Sequence, residues 1–169
     1  VVFIPLKSPF ASPVEMSLLN FACIGLPGLV LALEHNPERI KNRFTKIFLQ
    51  YSVPVGLTIS ISMLVLSCLA HFGVFSHYEL ATTAIFVTFT IDLVLIYWIS
   101  RPLNALRTTL LLTIIGIMAA AFLIPFTREF FDFVFLNQNG LIVTLVTIAA
   151  AILLFEILRR LMLRLSHHL

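Results

Sequence analysis

Residues 141–161 read LIVTLVTIAAAILLFEILRRL, and this stretch decides the fold class. It has no charged residue before position 156, and a helix of this length rises about 30 Å, which matches the hydrocarbon thickness of a bilayer. Similar apolar blocks precede it along the chain. The predicted membrane spans are residues 16–34, 48–72, 80–99, 106–126 and 141–161.

Composition supports the same conclusion. The 169 residues are 60% hydrophobic and only 11% charged, whereas about 25% of an ordinary soluble domain is charged. The sequence therefore predicts an all-α fold, a polytopic membrane bundle of about five helices that forms a single domain over residues 1–169. The net charge of +3 does not indicate nucleic-acid binding, because the basic residues lie in short loops between apolar blocks.

The first span differs from the other four. Gly25 and Pro27 lie near its middle and predict a break in the helix at this point, because proline has no N–H to donate. Residues 1–15 are rich in proline and serine and are predicted to form an outer segment. A charged connector is predicted over residues 35–47.

The basic residues predict how the bundle is oriented. Cytoplasmic loops carry an excess of Lys and Arg, and most of the eleven such residues fall in alternate loops. These are Arg39, Lys41, Arg43, Lys46, Arg101, Arg107, Arg159, Arg160 and Arg164. The C-terminus is therefore predicted to be cytoplasmic and the N-terminus of this chain to lie outside, as expected of the tail of a longer protein.

Polar residues near the predicted break suggest an ion site. Asn20 and Cys23 are three residues apart, which would place them on one face of an α-helix. Broken helices near the bilayer midplane often build ion sites in transporters. The alternative is a proline kink whose asparagine bonds a neighbouring helix, which is common in membrane bundles.

Two carboxylates in the later spans receive different interpretations. Asp92 lies inside the third span, six residues before Trp98, where a charge is costly unless it faces the bundle interior or water. An ion ligand is the favoured interpretation, and a structural hydrogen bond is the alternative. Glu156 precedes Arg159 and Arg160 by three and four residues, so an interfacial ion pair is predicted there.

Residues 13–28, PVEMSLLNFACIGLPG, resemble the sixth membrane helix of calcium- and sodium/potassium-type P-type ATPases. The common form there is P-(I/V)-Q-L-L-W-V-N-L-V-T-D-G-L-P-A, and the identical positions are Pro13, Asn20, Gly25, Leu26 and Pro27. Residues 31–37, LALEHNP, are similar to a bacterial branch. Thr90-Ile-Asp92 is similar to the Thr-Ile-Glu that carries an ion-binding carboxylate in calcium pumps.

The resemblance implies a cation-binding role for particular residues. Asn20 stands at the position of a coordinating asparagine, and Cys23 stands where a threonine is usual. Ile24 replaces a central aspartate, which leaves Asp92 as the best carboxylate ligand. Calcium is the first expectation for the transported cation, and Ile24 leaves magnesium, manganese or a monovalent cation open.

The resemblance also implies what lies around the chain. ATP and Mg²⁺ would bind only in a cytoplasmic headpiece N-terminal to Val1, so this chain alone carries no catalytic machinery and no resident cofactor. Its partners would be the lipid bilayer and the preceding helices and cytoplasmic domains of a pump in the bacterial plasma membrane. The alternatives are a stand-alone non-enzymatic membrane protein, such as a passive carrier or assembly partner, and a remnant without function.

Overall fold

A computed structural model of the chain describes residues 12–33, 44–73 and 77–166, and all regular elements in these ranges are helices. They are α1 (Pro13–Leu19), a π-helical segment (Asn20–Gly25), α2 (Leu26–Leu33), α3 (Phe44–His71), α4 (His77–Ile99), α5 (Ala105–Leu123), α6 (Pro125–Phe130) and α7 (Gln138–Ser166). Five stretches are long and apolar enough to cross a membrane: Pro13–Val30, Gln50–His71, Glu79–Ile99, Ala105–Leu123 and Gln138–Arg164. The predicted all-α bundle of about five spans is confirmed.

Helix α1 begins inside the predicted outer segment, at Pro13. Ser12 caps it, because the Ser12 hydroxyl accepts a hydrogen bond from the Glu15 N–H (3.3 Å) and the Glu15 carboxylate accepts one from the Ser12 N–H. Pro13 takes the first helical position, where no N–H is required. Residues 1–11 lie outside the described residues.

The interruption expected in the first span is present, but it is not an unwound break at Gly25 and Pro27. The chain stays helical and widens to a π-helix over Asn20–Gly25, where the Leu26 N–H donates to the Phe21 carbonyl. Pro27 is then the second residue of α2, where the α-helical ladder restarts and a missing N–H costs little. The π-segment thus accommodates the proline without exposing a stretch of free backbone.

Helix α4 is the centre of the bundle. Half of its spanning window is buried, against 22–33% for the other four. One side of α4 packs with α1, the π-segment and α5 in a first core, which contains Leu18, Leu19, Ala22, Cys23, Ile85, Phe89, Ile96, Leu110, Ile114, Met118, Ala121 and Phe133. Its other side packs with α3 and α7 in a second core, which contains Val55, Leu66, Leu80, Ala84, Val87, Ile91, Ala151 and Phe155.

Several helix ends differ from the predicted spans. Helix α5 stops at Leu123, before the predicted residue 126, because Pro125 begins the short helix α6. Helix α3 starts at Phe44 and therefore includes the end of the predicted connector, while residues 34–43 are outside the described ranges. Helix α7 runs beyond both ends of the predicted span.

One end of the bundle carries a cluster of arginines around an aromatic belt. The guanidinium carbon of Arg159 lies 3.7 Å from the centre of the Trp98 ring. Arg101 stacks on the same ring at 4.4 Å and on Tyr97 at 4.6 Å. Trp98 therefore joins the end of α4 to α7 by cation–π contacts.

Candidate cation site

Asp92 lies on the side of α4 that faces the first core. Phe89 and Ile96, three residues before it and four after it, are both members of that core. The Asp92 side chain is partly buried, and it makes no hydrogen bond or ion pair with any residue that the structure describes. Intramembrane carboxyls generally pair with other groups or line an ion pathway, so this open carboxyl is the strongest functional feature of the bundle.

Cys23 is the predicted ligand residue of the first span that packs towards α4. Its side chain is 8% exposed and is part of the first core, on the side of α4 that carries Asp92. The π-segment packs directly against α4, which brings the thiol to this position. Cys23 and Asp92, two of the three predicted ligand residues, therefore lie on the same side of α4.

The prediction that Asn20 and Cys23 share a face of the helix is wrong. The Asn20 side chain is exposed whereas Cys23 is buried. The prediction assumed α-helical geometry, in which residues three apart are neighbours. Within a π-helix the hydrogen bonds run to the fifth residue, so the turn is wider and these positions point in different directions.

Gly25 ends the π-segment, and Pro27 lies in the first turn of α2. Gly25 is exposed, and a Cβ added there would lie 3.7 Å from the Asn20 carbonyl oxygen, which is an ordinary contact. Pro27 is buried. The first span is irregular at these residues, as predicted. The irregularity is the π-helical turn, which determines which way the Asn20 and Cys23 side chains point.

The pair offers too few ligands for a complete metal site. Within the described residues, no group of three or more His, Cys, Asp or Glu side chains is placed to hold a metal ion. A calcium ion takes six to eight oxygen ligands. Cys23 and Asp92 could therefore provide only part of a coordination shell.

Glu156, unlike Asp92, has close basic partners. Its carboxylate accepts hydrogen bonds from Arg159 at 2.8 and 3.0 Å and from Arg160 at 2.9 Å. The predicted ion pair is thus confirmed, and it accounts for a carboxylate near the end of a span without a transport role.

Sequence reasoning missed one further carboxyl, that of Glu15. The residue is 1% exposed, and its Oε1 atom is buried with no hydrogen-bond partner among the described residues. The signal in the sequence was the capping pattern Ser12-Pro-Val-Glu15, which places a glutamate in the first turn of a membrane-spanning helix.

Comparisons with known proteins relate the chain to cation pumps. It is 28% identical over 152 residues to the calcium-transporting ATPase CtpE of Mycobacterium bovis, and equally so to that of Mycobacterium tuberculosis. The aligned part covers 88% of this chain but only 19% of each relative. No family model matches the chain, and no solved structure does. The chain is thus a multi-pass membrane chain with distant similarity to one part of a calcium-transporting ATPase.

Proposed function

We propose that this chain is the C-terminal membrane part of a cation-transporting P-type ATPase, and that it contributes Asp92 and Cys23 to the cation site. The observation that carries the proposal is the Asp92 carboxyl, which has no partner among the described residues. A cation would compensate its charge when bound. The similarity to calcium-transporting ATPases supports the same role.

The outward face of the first span supports a site shared with other helices. Asn20 and Ile24 both lie on the exposed side of the π-segment, and Ile24 is 68% exposed. An amide facing lipid in the middle of a span is unfavourable, whereas between helices it forms a hydrogen bond or binds an ion. In the proposed pump, preceding helices cover this face and supply the ligands that Cys23 and Asp92 lack.

Calcium is the proposed cation, because the similar proteins are calcium-transporting ATPases. A thiol replaces an oxygen ligand at Cys23, and Ile24 offers none, so binding is expected to be weaker than in a site made of oxygens alone. ATP and Mg²⁺ would act in cytoplasmic domains outside this chain. The arginine-rich end, with the C-terminus, is proposed to face the cytoplasm of a bacterial plasma membrane.

The test uses the intact protein, expressed with its native flanking sequence in membrane vesicles. ATP hydrolysis is measured against the concentrations of Ca²⁺, Mg²⁺ and Mn²⁺. Asp92→Asn should raise the cation concentration for half-maximal activity by about tenfold or more, because it removes the negative charge and keeps the side-chain shape. Cys23→Ser should change the preference among cations, because an oxygen replaces a sulfur.

The matched control is Glu156→Gln, which removes a carboxylate from another span. It should leave the cation dependence unchanged even where it lowers protein yield. If ATP hydrolysis depends on cation concentration in the same way in wild type and Asp92→Asn, Asp92 is not a ligand of the cation. If the intact protein hydrolyses no ATP under any of these cations, the pump proposal is wrong and a non-enzymatic membrane protein is the better interpretation.

A further inference from the structure

The arginines around Trp98 are of two kinds. Arg159 is buried, its guanidinium donates to both carboxylate oxygens of Glu156, and it lies 3.7 Å from the centre of the Trp98 ring. Arg101 and Arg160 are exposed, yet each is held by a contact with this unit. Arg101 stacks on the same ring at 4.4 Å, and the Nε atom of Arg160 donates to Glu156 at 2.9 Å. Two exposed guanidiniums are thus fixed in place around a buried third.

The exposed guanidiniums have N–H donors that the fold does not use. The two terminal nitrogens of Arg160 make no hydrogen bond with any described residue, and Arg101 donates only to the Tyr97 hydroxyl. Arg164, one turn after Arg160, is exposed and has no partner among the described residues. Within the described ranges, Glu156 is the only carboxylate that pairs with any of these arginines. The cluster therefore presents uncompensated positive charge and unused donors, which suit a phosphate group.

An exposed apolar surface on α7 continues from these arginines towards the middle of the bundle. Leu153, Ile157, Arg160 and Arg164 follow one another at spacings of four, three and four residues, so they lie on one face of the helix. Leu153 is 65% exposed and Ile157 is 62% exposed. The face rises about 16 Å, which is about half the hydrocarbon thickness of a bilayer. A phospholipid fits this face, because its chains would cover the apolar residues while its phosphate meets the arginines.

We propose that Arg160 and Arg164 bind the phosphate of an anionic phospholipid in the leaflet at this end of the bundle. Arg101, held on Trp98, adds positive charge to the site. Basic pockets of membrane helices bind anionic head groups in this way. A zwitterionic lipid such as phosphatidylcholine also has a phosphate, but its choline carries a positive charge that the arginines repel. The proposal goes beyond the cation site, and it does not depend on ATP hydrolysis.

The experiment uses the full chain in micelles of an uncharged detergent. Phosphatidylglycerol is the probe, phosphatidylcholine with the same acyl chains is the reference, and thermal unfolding is followed by circular dichroism. Phosphatidylglycerol should raise the unfolding temperature more than phosphatidylcholine does, because a ligand that binds the folded state stabilises it. Arg160→Gln and Arg164→Gln should each raise the phosphatidylglycerol concentration for half-maximal stabilisation by about fivefold. Arg160→Lys keeps the charge and should retain most of the stabilisation.

The matched control is Arg128→Gln. It also removes a guanidinium that stacks on an aromatic ring, that of Phe135 at 4.3 Å, but this arginine lies in α6, at the other end of α5. The response to phosphatidylglycerol should stay unchanged. An equal loss of response in Arg128→Gln and Arg160→Gln would show general attraction between a basic chain and anionic lipid. Equal stabilisation of wild type by the two lipids would show no preference for anionic lipid, and either result overturns the site.

Inorganic phosphate separates lipid binding from the binding of a soluble anion. Added in excess over the lipid, with sodium chloride of equal ionic strength as the reference, it should neither stabilise the chain nor displace phosphatidylglycerol. It lacks the acyl chains that would cover Leu153 and Ile157. If inorganic phosphate reproduces the stabilisation, the arginines bind a soluble anion and the lipid proposal is wrong. The pump proposal stands in that case, because it is tested by the cation dependence of ATP hydrolysis in Asp92→Asn.

Discussion

Helix α7 and the contact between the π-segment and α4 both place polar groups within the membrane, but they treat them differently. On α7, Glu156 is paired with two arginines, and the hydroxyls of Thr144 and Thr147 donate to carbonyl groups one turn earlier. At the π-segment and α4, Asp92 has no partner among the described residues and Asn20 faces outwards. The polar groups of α7 named here have hydrogen-bond partners within the bundle, whereas the open groups at the π-segment and α4 are the ones on which the proposed function rests.

The largest stability effect is expected at Arg159. Its side chain is 10% exposed, so Arg159→Gln leaves Glu156 partly unpaired and removes the stacking on Trp98. We expect a loss of about 2 kcal/mol in the free energy of unfolding, less than for a fully buried pair because Arg160 remains. Arg160→Gln is the control, since that side chain is 72% exposed and should contribute about 0–0.5 kcal/mol. Denaturant titration in detergent micelles measures both, and equal losses would contradict the prediction.

An effect of opposite sign is expected at Asp92. Asp92→Asn removes an uncompensated charge from a membrane-spanning helix, so the free energy of unfolding should rise by about 1 kcal/mol. Glu156→Gln should lower it, because that carboxylate is paired. The same titration, made without divalent cations, compares the two variants. A loss of stability in Asp92→Asn would mean that the carboxylate is a structural group.

A smaller loss is expected at the hydrogen bond between α4 and α7. The hydroxyls of Thr83 and Thr144 lie 3.0 Å apart, and both side chains are buried. Thr83→Val should cost about 0.6 kcal/mol, the average for hydrogen bonds between membrane helices. Thr113→Val is the control, because Thr113 is exposed and bonds only within its own helix. If the two variants unfold at the same denaturant concentration, the contact does not stabilise the bundle.

The smallest effect is expected at Gly25. A Cβ there would make only an ordinary 3.7 Å contact with the Asn20 carbonyl oxygen, so Gly25→Ala should be tolerated. Helical glycine costs about 0.5–1 kcal/mol relative to alanine, and we expect a gain of about 0.5 kcal/mol. Thermal unfolding followed by circular dichroism measures the change. A clear destabilisation would show that the π-segment needs glycine.

The sequence predicted the class of fold because apolar runs of about 20 residues leave few alternatives to membrane spans. It also predicted the Glu156 ion pair, which depends on residues within one turn. The prediction that Asn20 shares a face with Cys23 was wrong because the change from an α-helix to a π-helix alters which residues share a face. No local sequence pattern around Pro27 specifies that change. Glu15 was missed because its burial comes from tertiary packing, which no local sequence pattern specifies.

The stacking of two arginines on Trp98 has a practical consequence for following helix movement. Trp98 is the only tryptophan in the chain, so all indole emission comes from this one position between α4, α7 and the α4–α5 turn. A displacement of α7 relative to α4 would separate the Arg159 guanidinium from the ring and change its emission. The chain thus contains a native optical reporter for movement of α7 relative to α4, which needs no added label.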